Sequence, residues 1–87
     1  MNEEIRLFKL IGKNIKYYRL KYSLEKEKIT QEKLAEMVDV STSLIGNLES
    51  EKIIQGLSVY TLWKISGALE TPIQNFFEIP DKIKKDE

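Results

Sequence analysis

A chain of 87 residues has room for one core, because a polypeptide this short buries only about 60% of the surface that its unfolded form exposes. Its 41% hydrophobic and 32% charged content is that of a soluble globular domain, and the absence of cysteine and histidine excludes disulfides, Cys/His zinc sites, thiol nucleophiles and Ser-His dyads together. Basic and acidic side chains balance at 14 each, so affinity for an anionic partner has to come from how the charge is distributed. No apolar run approaches the roughly 20 residues that span a bilayer, and Met1 to Leu10 carries Glu3, Glu4 and Arg6 in place of a signal-peptide core. A cytoplasmic protein with no membrane partner, metal or cofactor is expected. The acidic residues are scattered among lysines on solvated faces, so no enzyme is expected either.

Ile5, Phe8, Ile11, Ile15, Tyr18 and Tyr22 recur at three- and four-residue spacing and predict a first amphipathic helix over about residues 4 to 22. Ser23 to Ile29 is polar and charge-rich and reads as a loop. Thr30 is suited to cap a second helix with Leu34, Ala35 and Val38 facing inward. Asp39-Val40-Ser41 breaks the pattern, and Ser41 can cap a third helix that runs to about Glu49 with Ile45 and Leu48 turned toward the second. Glu51 to Leu57 is non-periodic and reads as a loop. Ser58 caps a fourth helix whose inner face is Val59, Leu62, Ile65, Ser66 and Leu69. Thr71-Pro72-Ile73-Gln74 has the form of a capping box with proline at the first helical position, and predicts a fifth helix over 72 to 78. Pro80 stops it, leaving 80 to 87 as a charged tail that frays. The expected architecture is a compact all-α, five-helix domain over residues 1 to 79.

Charge is unevenly placed along these elements. Residues 1 to 28 hold eight basic and four acidic side chains, residues 29 to 58 two and five, and residues 59 to 87 four and five. The first helix is therefore the candidate phosphate face, through Lys13 and Lys16, against the bland alternative of a solvated helix surface. The second and third helices, spanning 31 to 49, have the form of a helix-turn-helix, in which one helix enters the DNA major groove while the other braces it. Ala35 supplies the small residue at the crossing, Asp39 tolerates the left-handed turn, and Val40, Ile45 and Leu48 tie the third helix down.

An ordered set of residues then resembles the Cro-like, or xenobiotic response element, family of helix-turn-helix proteins with the lambda-repressor-like fold. It comprises Ile11-Gly12-Lys13-Asn14-Ile15, Arg19, Thr30-Gln31-Glu32-Lys33-Leu34-Ala35, Val40-Ser41, Ile45, Leu48-Glu49, Ser58, Thr61-Leu62, Ile65 and Ala68-Leu69, covering roughly residues 10 to 78. The chain departs from the family pattern in having Asp39 for a turn glycine, an insertion at Ser23 to Lys28, and Glu51 with a longer loop where the family has glycine and then proline. The resemblance implies that Gln31 opens the second helix near a DNA phosphate and props the third, and that Arg19 and Glu49 form a partly buried ion pair. The alternative for Gln31 is a plain polar first-turn residue.

On the third helix, Thr42, Ser43, Gly46 and Asn47 lie opposite Ile45 and Leu48. With Ser41, Ser50 and Lys52 they make up the expected DNA-facing set, in which Asn47 can pair bidentately with adenine and Thr42 can offer a methyl to thymine. No Arg or Lys lies between Ser41 and Glu51, so an A·T-rich site read partly through DNA shape is expected. Leu44 either touches a thymine methyl or fills the edge of the packing against the second helix. Tyr60, Trp63, Phe76, Phe77 and Ile79 form a candidate homodimer interface. Trp63 and Phe76 could instead finish the monomer core. The expected function is a sequence-specific transcriptional regulator, a repressor, that binds a palindromic operator in double-stranded DNA as a homodimer. The competing class is a protein-interaction module, such as an antitoxin or an adaptor that no longer binds DNA.

Overall fold

The computed structural model describes residues 2–79, and the tail expected at 80–87 lies outside the described residues. Four α-helices follow in order, α1 (Glu3–Glu25), α2 (Gln31–Val38), α3 (Thr42–Glu49) and α4 (Val59–Ala68), and a 3-10 helix (Ile73–Phe77) closes the domain. No strand occurs among the described residues, and none of the described helices is long and apolar enough to cross a membrane. The core is one cluster to which every element contributes: Ile11 and Ile15 from α1, Leu34, Ala35 and Val38 from α2, Ile45 and Leu48 from α3, Leu62 and Ile65 from α4, with Ile29, Leu69 and Phe76 between them.

Local side chains start the helices where the sequence places them. Thr30 Oγ1 accepts the Lys33 N–H at 3.0 Å, Ser41 Oγ the Leu44 N–H at 3.0 Å, and Ser58 Oγ the Thr61 N–H at 3.0 Å. Two helices end in a left-handed residue that is not glycine. Asp39 (φ 58°) closes α2, with the Val40 N–H reaching Ala35 O at 3.0 Å, and Glu70 (φ 51°) closes α4, with the Thr71 N–H reaching Ser66 O at 3.0 Å.

That second closure corrects the expected capping box. Thr71 is the last link of the α4 terminus, its hydroxyl donates to Leu69 O at 3.0 Å, and the next element opens at Pro72 with no side-chain cap. Five residues of 3-10 helix therefore replace the α-helix expected over 72 to 78. At the other end, α1 runs through Glu25, a turn beyond the predicted stop. Ser23 Oγ donates to Arg19 O at 2.9 Å and accepts the Ile29 N–H at 2.9 Å, so a residue that looks like loop is absorbed into the helix and ties the insertion down. Beyond it Lys26 pairs with Glu70, whose carboxyl it holds below the usual range. Both groups are solvent-exposed, so the pair adds little stability. Val59, expected on the inner face of α4, is 78% exposed because it is the helix's first residue and precedes the buried pair Leu62 and Ile65.

Two features, one polar and one steric, fix how α1 meets its neighbours. Asn14 is wholly buried and its Nδ2 donates to Phe76 O and Glu78 O, both at 2.8 Å, which clamps the closing segment along α1. Gly12 is buried against the backbone of α3 at Leu48, a contact that leaves no space for a side chain.

Candidate nucleic-acid interface

α3 is anchored on one side by Ile45, Leu48 and Glu49, all buried, which turns Thr42, Ser43, Gly46, Asn47 and Ser50 outward. Thr42 and Ser43 are exposed in its first turn. The Ser41 hydroxyl caps the helix, and Ser50 Oγ accepts the Lys52 N–H at 3.1 Å. Leu44 is half-buried and packs against the core, which favours the packing role over a thymine contact.

A polar network holds this helix against the other two. Glu49 Oε2 accepts from Arg19 Nε at 2.8 Å, and Glu49 Oε1 accepts from Arg19 Nη2 at 2.8 Å and from Gln31 Nε2 at 2.9 Å. Arg19 Nη1 donates to Ile29 O at 3.0 Å. Arg19 is 8% exposed and Glu49 7%, so a two-pronged ion pair sits under the surface with its remaining hydrogen bonds satisfied. Gln31 lies at the start of α2, and its carboxamide oxygen is beside Gly46 of α3. One carboxylate thus joins α1, the opening of α2 and the end of α3, fixing the angle at which the outward face of α3 is presented.

Lys13 and Lys16 are exposed on α1. Lys13 lines a cleft of about 420 Å3 with Arg6, Lys9, Leu48, Ser50 and Glu51, and the Lys9 ammonium donates to Glu51 O at 2.7 Å. Lys16 shares with Lys13 a second cleft, bordered by Tyr17, Leu20 and Ile79. The basic face of α1 therefore flanks the end of α3 and the loop that follows. Arg6 and Lys9 belong to it although they were not among the expected site residues; with Lys13 their spacing of three and four was the available signal. Lys52 is exposed in the loop. Gln55, in the same loop, was also missed. Asn47 Nδ2 donates to its Oε1 at 3.3 Å, and nothing in a non-periodic segment foretells that contact.

The expected dimer residues do not form one patch. Phe76 is wholly buried, edge-to-face on Tyr18 with ring centroids 5.4 Å apart, and so belongs to the monomer core. Tyr60 and Trp63 stack on the outer face of α4 with ring centroids 6.2 Å apart, and Trp63 borders a shallow cleft with Met37 of α2. Ile79 lies beside Leu10, Tyr17 and Leu20 of α1, in a cleft that shares no residue with the Trp63 cleft. Phe77 and Ile79 are both exposed.

Among the described residues no group of histidine, cysteine, aspartate or glutamate side chains could hold a metal ion. A search of curated proteins gave no match. A family described as helix-turn-helix matches residues 20–76, which include all of α2, α3 and α4. With that match over well over half of its length, and with α2 and α3 joined through a left-handed Asp39, the chain belongs to the Cro/C1-type helix-turn-helix family of DNA-binding regulator domains.

Proposed function

We propose that this regulator is a repressor that binds a palindromic, A·T-rich operator as a two-fold dimer, with α3 in the major groove. The observation that carries the reading is the division of α3 into a buried anchoring side and an outward side of Thr42, Ser43, Gly46, Asn47 and Ser50, none of them charged. Uncharged amides and hydroxyls suit adenine and thymine edges, whereas guanine is best met by Arg or Lys. Lys13, Lys16 and Lys52, with Gln31 at the opening of α2, would take the phosphates on either side. Such a domain acts by occupying its site, which is why repression is proposed. Selection of bound sequences from a random DNA pool tests the whole reading, and A·T-rich half-sites about 34 Å apart are the expected yield.

Base readout and phosphate anchoring separate by chemistry. Asn47→Ala is expected to cost about 1–3 kcal/mol on the selected site and little on scrambled duplex. Lys13→Gln and Lys16→Gln are expected to weaken both duplexes alike and to flatten the salt dependence by about one unit each. Titrations at several salt concentrations check this, and equal losses on both duplexes for Asn47→Ala would remove Asn47 from the reading surface.

For the dimer, the stacked Tyr60–Trp63 pair and Met37 offer more exposed apolar surface than Phe77 and Ile79, with Trp63 62% exposed. Trp63→Glu is expected to give a folded monomer whose operator affinity falls at least about tenfold, since each half-site alone supplies few base contacts. Sedimentation at micromolar concentration decides it; a dimeric Trp63→Glu and a monomeric Phe77→Glu would move the interface to the other patch. The uncharged outward side of α3 also fits the second reading, a protein-interaction module, and failure to shift random DNA even at low salt would favour it.

A further inference from the structure

Asn47 and Gln55 carry an inference about specificity. Gln55 Nε2 donates to Gly56 O at 2.9 Å. A carbonyl oxygen can only accept, so the Gln55 amide must point its nitrogen at Gly56 and its oxygen at Asn47. That oxygen in turn can only accept, so Asn47 must present its nitrogen to Gln55, at 3.3 Å. A main-chain carbonyl of the loop thereby removes the end-for-end ambiguity of two successive carboxamides. Asn47 is half-buried on the outward side of α3, one turn from both Ser43 and Ser50. What it has left for a ligand is one acceptor, Oδ1, and one remaining N–H, in a fixed order.

The geometry points to Gln55 as a positioning residue that sets Asn47 to select adenine at one position of each half-site; this rests on the reading of α3 as the groove helix. Adenine offers a donor at N6 and an acceptor at N7, which an ordered acceptor-donor pair complements. Guanine offers two acceptors, so Oδ1 would face O6 and be repelled. An Asn47 freed to turn over could direct its nitrogen at guanine instead. Gln55 therefore contributes discrimination while touching no base.

The test compares wild type, Asn47→Ala, Gln55→Met and Gln55→Glu on the selected operator, with all four base pairs placed at each position in turn. Asn47→Ala locates the pair that Asn47 reads, where preference should fall about tenfold. Gln55→Met, similar in size but without the amide, is expected to flatten preference at that same pair by at least about fivefold, leaving the other positions and scrambled duplex unchanged. Gln55→Glu keeps an acceptor for Asn47 and should retain the preference while its added charge weakens all DNA binding. If Asn47→Ala loses preference at a pair where Gln55→Met does not, or if Gln55→Met loses evenly at every position, the positioning role is overturned and the reading of α3 stands. If no sequence is selected, or Asn47→Ala changes no position, both are overturned together.

Discussion

Arg19→Ala is expected to destabilise the domain by about 3–5 kcal/mol, the cost of stranding one member of a buried ion pair. In a domain of this size each kcal/mol moves the melting temperature by about 4–8 °C, and total stability is only about 5–15 kcal/mol, so much of the protein would unfold near physiological temperature. The reason is local and countable. Glu49 loses the two guanidinium donors at 2.8 Å and keeps only Gln31 at 2.9 Å, while Ile29 O loses the third. DNA binding should fall as well, because the same carboxylate sets α3 against α1 and α2. Exchanging both partners for methionine should recover much of the stability, since no charge is then buried. Thermal and urea melts check both variants. A single variant with wild-type melting and reduced DNA affinity would instead make Arg19 a phosphate contact.

What the sequence reveals divides by the range of the interaction. Thr30, Ser41 and Ser58 bond to an N–H three residues on, so their caps can be read from a short window. Thr71 carries the same local signal and does something else, because the α4 terminus claims its N–H first, a competition between adjacent elements that no window ranks. The Arg19–Glu49 pair joins residues 30 apart and entered only through a family resemblance. The resemblance includes Asn14 without implying its clamp on the closing segment, and Gln55 lies beyond even that. A buried amide beside an apolar stripe looks like a solvated one, and a glutamine in a non-periodic loop looks like any other. Phe76 and Phe77 are adjacent and alike in sequence, yet the turn of a short 3-10 helix buries one against Tyr18 and exposes the other. The outward side of α3 was legible because three anchors, Ile45, Leu48 and Glu49, define the opposite side by helical spacing alone.

Gly12→Ala is expected to destabilise by about 3 kcal/mol, against the sign that helix propensity gives. In an open helix the exchange should stabilise by up to about 1 kcal/mol, since glycine gives up more backbone freedom on folding than alanine. At Gly12 the new Cβ would fall on the carbonyl oxygen of Leu48. Both sides of that contact are backbone, so no rotamer change relieves it, and α1 must move off α3. The separation would loosen Ile11 and Ile15 from Ile45 and Leu48 and strain the Arg19–Glu49 geometry one to two turns further along α1, which places the cost at the upper end of that for overpacked cores. Gly67, on the exposed side of α4, is the internal control, because a Cβ there meets nothing within 4 Å. Gly67→Ala should raise the melting temperature by a few degrees, roughly the 0.5–1 kcal/mol of glycine relieved of its entropy cost. Opposite signs from one substitution in two helices of one domain would locate the constraint in the α1–α3 contact, whereas a Gly12→Ala variant that melts at or above wild type would mean that α1 and α3 do not approach this closely.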